Sequence, residues 1–171
     1  RVDYQPAIIG GMPANIKVLR IVSSGDSLYL LDGNTSTVLR ASYTAQGYVL
    51  DADFQCFPNT PSQVGPLLDI LPGSSNSEPP ADILALDPKG NLLYCSSDSM
   101  PSHQTLQPPA ARSFAALQAF TQDFNYLYVL DPPANAVWVY PANNLSQEPR
   151  LYFDEYTPPM QDTIDLATAS D

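Results

Sequence analysis

Three times the chain runs through apolar, β-prone residues to an aspartate, turns, and resumes as a second β-prone run. The copies are SLYLLDGNTSTVLRA from Ser27, DILALDPKGNLLYC from Asp82 and YLYVLDPPANAVWVY from Tyr126. A chain that repeats one hairpin cannot bury each hairpin's apolar face within that hairpin, so successive units must pack on one another. In the first and third copies a valine follows the aspartate at the same offset: Val38 after Asp32, and Val137 after Asp131. The near-continuous apolar runs before Asp32, Asp87 and Asp131 predict strands buried on both faces. Each aspartate is expected to end its strand with an Asx-turn, its carboxylate accepting hydrogen bonds from N–H groups two or three residues on.

Every hairpin has an apolar lead-in and a weaker trailing segment. The lead-ins are 18–22 (VLRIV), 66–71 (PLLDIL), 114–120 (FAALQAF) and 163–169 (TIDLATA), with starts about 48 residues apart. Residues 114–120 could form two helical turns, but their place in the repeat predicts a strand. The trailing segments are 48–56, 103–106 and 150–154. Eighteen prolines fall mostly between these runs, including pairs at 79–80, 108–109, 132–133 and 158–159, and leave little room for long helices.

Four strands in about 48 residues match the period of a β-propeller blade. The expected fold class is all-β: a partial β-propeller of about three four-stranded antiparallel blades plus the start of a fourth. The alternative is an unrelated β-sandwich or barrel. The divisions are a lead-in at 1–17, blades at about 18–64, 65–112 and 113–162, and the start of the next at 163–171. Propellers close with four to eight blades. The missing blades would come from a longer chain or from another chain, unless the units pack in an open arrangement.

The y-[LV]-L-D-x5-V cores at 29–38 and 128–137, with their lead-ins, resemble blades of the broad NHL and YWTD-like propeller group. LYLLD…VLR, DILALDPKGNLLYC and LYVLDPPANAVWVYP together resemble extracytoplasmic propeller segments of bacterial membrane-anchored proteins, some of which carry a signalling or phosphatase-like module across the membrane. The YWTD tetrad, a consistent NHL triplet and the WD dipeptide are absent. The resemblance therefore implies a fold and a secreted or extracytoplasmic location, and it transfers no ligand-binding residues.

Charge limits the partners. Eighteen carboxylates against seven Lys and Arg give −11, which repels nucleic acid and anionic membrane surfaces. No apolar run is long enough to span a membrane, so direct insertion is not expected. The expected partners are a protein or further blades from another chain.

Catalytic sets are hard to assemble. His103 is the only histidine and lies in SMPSHQT, where it reads as solvated. No G-x-S-x-G, G-x-G-x-x-G or Walker lysine occurs. The chain is therefore expected not to be an enzyme and to need no cofactor. Calcium is the one candidate ion: Asp32-Gly33-Asn34-Thr35-Ser36 begins like an oxygen-ligand loop, but Thr37 and Tyr43 stand where an EF-hand has Gly and Glu. Asp51, Asp53, Asp69 and Asp82 could approach a propeller axis, the basis of an alternative reading as a metal-dependent, lactonase-like hydrolase. Cys56 and Cys95 either pair or are two small buried hydrophobes; a zinc site is not expected without C-x-x-C. Tyr126, Tyr128, Trp138 and Tyr140 alternate along their strands. They either pack between blades or form an aromatic strip for carbohydrate or a partner's peptide, the basis of a second alternative, a ligand-binding propeller. The preferred reading is a non-catalytic interaction or scaffold module. Asn34-Thr-Ser and Asn144-Leu-Ser match the glycosylation sequon.

Overall fold

A computed structural model describes residues 8–54, 56, 64–73, 79–96, 101–110, 113–153 and 157–168. The protein is all-β, and the strands among the described residues form three sheets. The first sheet contains β1 (Ile9–Gly10), β2 (Val18–Ser24), β3 (Ser27–Asp32), β4 (Thr37–Thr44) and β5 (Gly47–Leu50). The second contains β6 (Asp69–Pro72), β7 (Ile83–Leu86), β8 (Asn91–Cys95) and β9 (Ser102–Thr105). The third contains β10 (Ala119–Gln122), β11 (Tyr126–Asp131), β12 (Ala136–Pro141) and β13 (Arg150–Leu151). In each sheet four consecutive strands pair antiparallel with their sequence neighbours.

The outer edge of the first sheet was not expected from the sequence. There β1 pairs parallel to β5, with Ile9 opposite Tyr48, so part of the expected lead-in belongs to the sheet. Two other expectations shift. Of 114–120 only the last two residues are strand, and residues 163–168 form no strand. Residue 154 of the third trailing segment lies outside the described residues.

Register decides which side chains fill the core. In the second sheet every residue of β7 and β8 is buried, as two-sided packing requires. Alternation sends Ile83, Ala85, Leu93 and Cys95 toward Tyr29, Leu31 and Val38 of the first sheet. It sends Leu84, Leu86, Leu92 and Tyr94 toward Leu127, Val129, Trp138 and Tyr140 of the third. The second sheet is thus the middle layer between two apolar cores. The far side of the third sheet, at Ala119 and Leu130, is covered by Met160, with Leu166 packed against it.

The first strand of each unit lies beside that of the next: β2 contacts β6, and β6 contacts β10. Turn chemistry fixes where these layers meet. Gly90 adopts φ +83°, and a Cβ there would sit 2.5 Å from the Phe114 ring. Any side chain would therefore strain the turn and push away the chain entering the third sheet.

Candidate functional site

The repeated aspartates do more than turn the chain. Asp32 Oδ1 accepts from the Asn34 N–H at 3.0 Å, the expected Asx-turn, and also from the Lys17 N–H at 3.0 Å, just before β2. Asp87 Oδ1 accepts from the Lys89 and Asn91 N–H groups, while its Oδ2 takes the Gly65 N–H at 2.7 Å, just before β6. Asp131 accepts from the Ala115 and Ala116 N–H groups at 2.9 and 3.0 Å, just before β10. Each carboxylate therefore pins the segment that feeds the first strand of its own sheet.

The third copy departs from the expected Asx-turn for a covalent reason. Pro132 and Pro133 follow Asp131 and have no N–H to donate. A 3₁₀ turn, Pro132–Ala134, replaces it, closed by Asn135 in the left-handed region at φ 53°. Burial pushes the Asp32 carboxyl up, but hydrogen bonds from Asn34, Thr35 and Lys17 outweigh this and hold it below the usual range. In the stretch Asp32-Gly33-Asn34-Thr35-Ser36 the Asp32 oxygens accept from Thr35 Oγ1 and the Asn34 N–H within the loop and from the Lys17 N–H outside it.

Other acidic candidates are dispersed. Asp51 pairs with Arg40, which also stacks over the Phe54 ring. Asp69 meets Arg20 Nε at 3.0 Å and accepts from the Phe120 N–H, while Arg20 also grips Asp165. Burial pushes the Asp69 carboxyl above its usual value. One arginine on β2 thus ties the second sheet and the C-terminal segment to the first. Asp53 donates its backbone N–H to the Asp51 carboxylate, and the Asp82 N–H goes to the Cys95 carbonyl. Among the described residues no three His, Cys, Asp or Glu side chains gather as a metal-holding group. His103 stands on β9 opposite Leu93 and is exposed.

Cys56 and Cys95 form a disulfide. Cys56 bridges to Val38 of the first sheet and Cys95 ends β8, so the bond links neighbouring layers across their shared core.

The four aromatic candidates divide between two faces. Trp138 and Tyr140 are buried in the core between the second and third sheets, where the Tyr140 hydroxyl donates to the Gln107 carbonyl at 2.8 Å. Tyr126 and Tyr128 are half-buried on the opposite face, in edge-to-face contact with each other. Tyr152 and Phe153 continue that row from Tyr128. The Tyr128 hydroxyl donates to Asp123 at 2.7 Å, and this bond pushes its pKa up to about 12.

A cleft of about 1050 Å³ opens where the second and third sheets part. Its walls include Leu84, Leu92 and Tyr94 on one side and the 122–127 turn and 141–145 loop on the other. The Ala142 N–H donates to the Asn125 carbonyl at 2.8 Å and fastens these two segments together. Of the aromatic candidates only Tyr126 lines this cleft; Tyr94, Phe124, Asn125 and Asn143 were not singled out from sequence, and Asn144 stood out only as a glycosylation sequon. One signal was available: Phe124 interrupts an otherwise polar turn, Asp123-Phe124-Asn125, and is 96% exposed.

Comparison of the chain with family models, with curated proteins and with solved structures finds no match in any of the three.

Proposed function

We propose that the chain is a non-catalytic interaction module of propeller-type blades, which associates through the first sheet with further blades supplied by a second copy of itself. The observation that carries this reading is a difference among equivalent strands. Asp69 and Ile70 of β6 are buried, as are Ala119, Phe120 and Thr121 of β10. The equivalent β2 leaves Val18, Leu19 and Ile21 exposed at 39%, 46% and 55%. Among the described residues β6 lies between β2 and β10, and β10 lies between β6 and the C-terminal segment with Met160 and Leu166, whereas the one neighbouring sheet β2 contacts is that of β6. An aliphatic strip of this kind marks an interaction surface.

The outer face of the third sheet offers the complement. Beside the part covered by Met160 and Leu166, Tyr152 is 53% exposed there, next to half-buried Tyr126 and Tyr128. Two copies joined head to tail would repeat the packing already present twice within each chain. The described sheets of two copies would number six, within the four to eight with which propellers close. Placement outside the cytoplasm fits the Cys56–Cys95 disulfide, since such bonds persist in oxidising compartments. No helix among the described residues is long and apolar enough to cross a membrane.

Sedimentation equilibrium of Ile21→Asp beside the parent chain tests the reading. The expected result is an association weakened at least about tenfold, as a buried carboxylate requires, with an unchanged far-ultraviolet spectrum. Equal association of the two chains would overturn it.

A further inference from the structure

We infer that the cleft between the second and third sheets is a binding site for a neutral polyhydroxylated ligand, of the oligosaccharide class. Its chemistry selects the ligand. Leu84, Leu92 and Leu127 give an apolar floor, while Asn125, Asn143 and Asn144 place amides around the mouth. Amides both donate and accept, which suits hydroxyl groups that do the same. Among the described residues no Lys or Arg lines the cleft, and the chain carries −11, so nothing there favours a phosphate, sulfate or carboxylate.

Two further observations point to an occupant. Tyr94 is 7% exposed and lines the cleft. Among the described residues Arg40 Nε is the one fully buried side-chain N or O atom without a partner, so the Tyr94 hydroxyl is open to the cleft, able to meet a ligand, rather than sealed in the core. Burial alone pushes its pKa to about 12, so it stays protonated and able to donate at neutral pH. Phe124, 96% exposed at the tip of the turn after β10, places an aromatic ring at the rim. Sugar rings carry apolar C–H faces that stack on such rings. Asp123 is committed elsewhere: it accepts from the Asn125 and Tyr126 N–H groups and from the Tyr128 hydroxyl. The site is therefore one for binding rather than for acid–base chemistry.

At about 1050 Å³ the cleft is at the upper end for small-ligand sites, with room for more than one sugar ring. The Ala142–Asn125 hydrogen bond fixes the rim before any ligand arrives.

The test is an array of neutral, sialylated and sulfated oligosaccharides probed with the fluorescently labelled chain, followed by calorimetric titration of the best neutral binder. Tyr94→Phe and Phe124→Ala are titrated in parallel. Tyr94→Phe removes an unpaired hydroxyl and leaves the packing ring, so its melting temperature should match the parent's. The expected result is binding of neutral oligosaccharides, weakened about tenfold by Tyr94→Phe, the change that accompanies loss of one good hydrogen bond, and further by Phe124→Ala. Binding confined to anionic glycans, binding indifferent to both substitutions, or no binding across the array would each overturn the proposal.

Discussion

Replacing Asp87 with asparagine separates two jobs that one side chain performs. Asp87 is fully buried and accepts four hydrogen bonds: Lys89 N–H and Asn91 N–H on Oδ1, Gly65 N–H and Asn91 Nδ2 on Oδ2. Asparagine serves an Asx-turn as well as aspartate does, so a carboxylate that only turned the chain would tolerate the change. The clamp on Gly65 would not. With the amide nitrogen on the Oδ2 side, it faces the Gly65 N–H. Asn91 can flip its own amide to accept from the new donor, and the Thr105 hydroxyl, which now donates to Asn91 Oδ1 at 2.7 Å, would then accept instead. The Gly65 N–H has no such remedy. With the amide turned the other way, two backbone donors lose their acceptor. One charge-assisted bond is lost and the others become neutral, which together cost about 3 kcal/mol. Urea unfolding followed by the fluorescence of Trp138, the single tryptophan and a core residue between the second and third sheets, reads the change. A loss below about 1 kcal/mol would refute the clamp and leave only the turn.

Replacing both Cys56 and Cys95 with serine opens a crosslink spanning 39 residues and should lower stability by about 4 kcal/mol; denaturation with and without reductant should converge on the variant's midpoint. Arg20→Met leaves Asp69 without its arginine and frees Asp165, so the 157–168 segment should become cleavable by limited proteolysis and the melting temperature should fall. Stability should also fall in acid. Arg40 beside Asp51, Tyr128 beside Asp123 and Arg20 beside Asp165 hold those carboxyls below 3.8, and hydrogen bonds do so for Asp32. Their contributions are complete above 3.8 and lost as pH falls through the folded values. Asp69, raised by burial, acts oppositely: its contribution is present below 3.8 and is lost as pH rises through its folded value. The sum is a melting temperature that drops below about pH 4, and a flat profile from pH 6 to 2 would contradict these assignments.

The layout of the sheets was legible because it follows from a period. Alternation and turn residues place β3, β4, β7, β8, β11 and β12 without reference to partners. The lead-in strands were harder to bound, since 66–71 and 114–120 are apolar but for Asp69 and Gln118 yet become strand only at Asp69 and Ala119. Their preceding residues are held by the repeat aspartates at Gly65, Ala115 and Ala116, a contact made across 15 to 22 positions that no local pattern encodes. Residues 163–168 have a strand-like composition, but a strand exists only where another can pair with it. The cleft was least legible. It joins Tyr94 to Asn143 and Asn144, far apart in the chain, and the strong aromatic pattern of Tyr126, Tyr128, Trp138 and Tyr140 drew attention to residues of which two serve the core.

If another copy completes these blades, the chain's native mass will show it. Light scattering after size exclusion should give twice 18.6 kDa. The dimer should tighten with added salt, as screening relieves repulsion between two chains of −11 each. A mass of 18.6 kDa that persists at high protein concentration and high salt would rule out completion by a second copy.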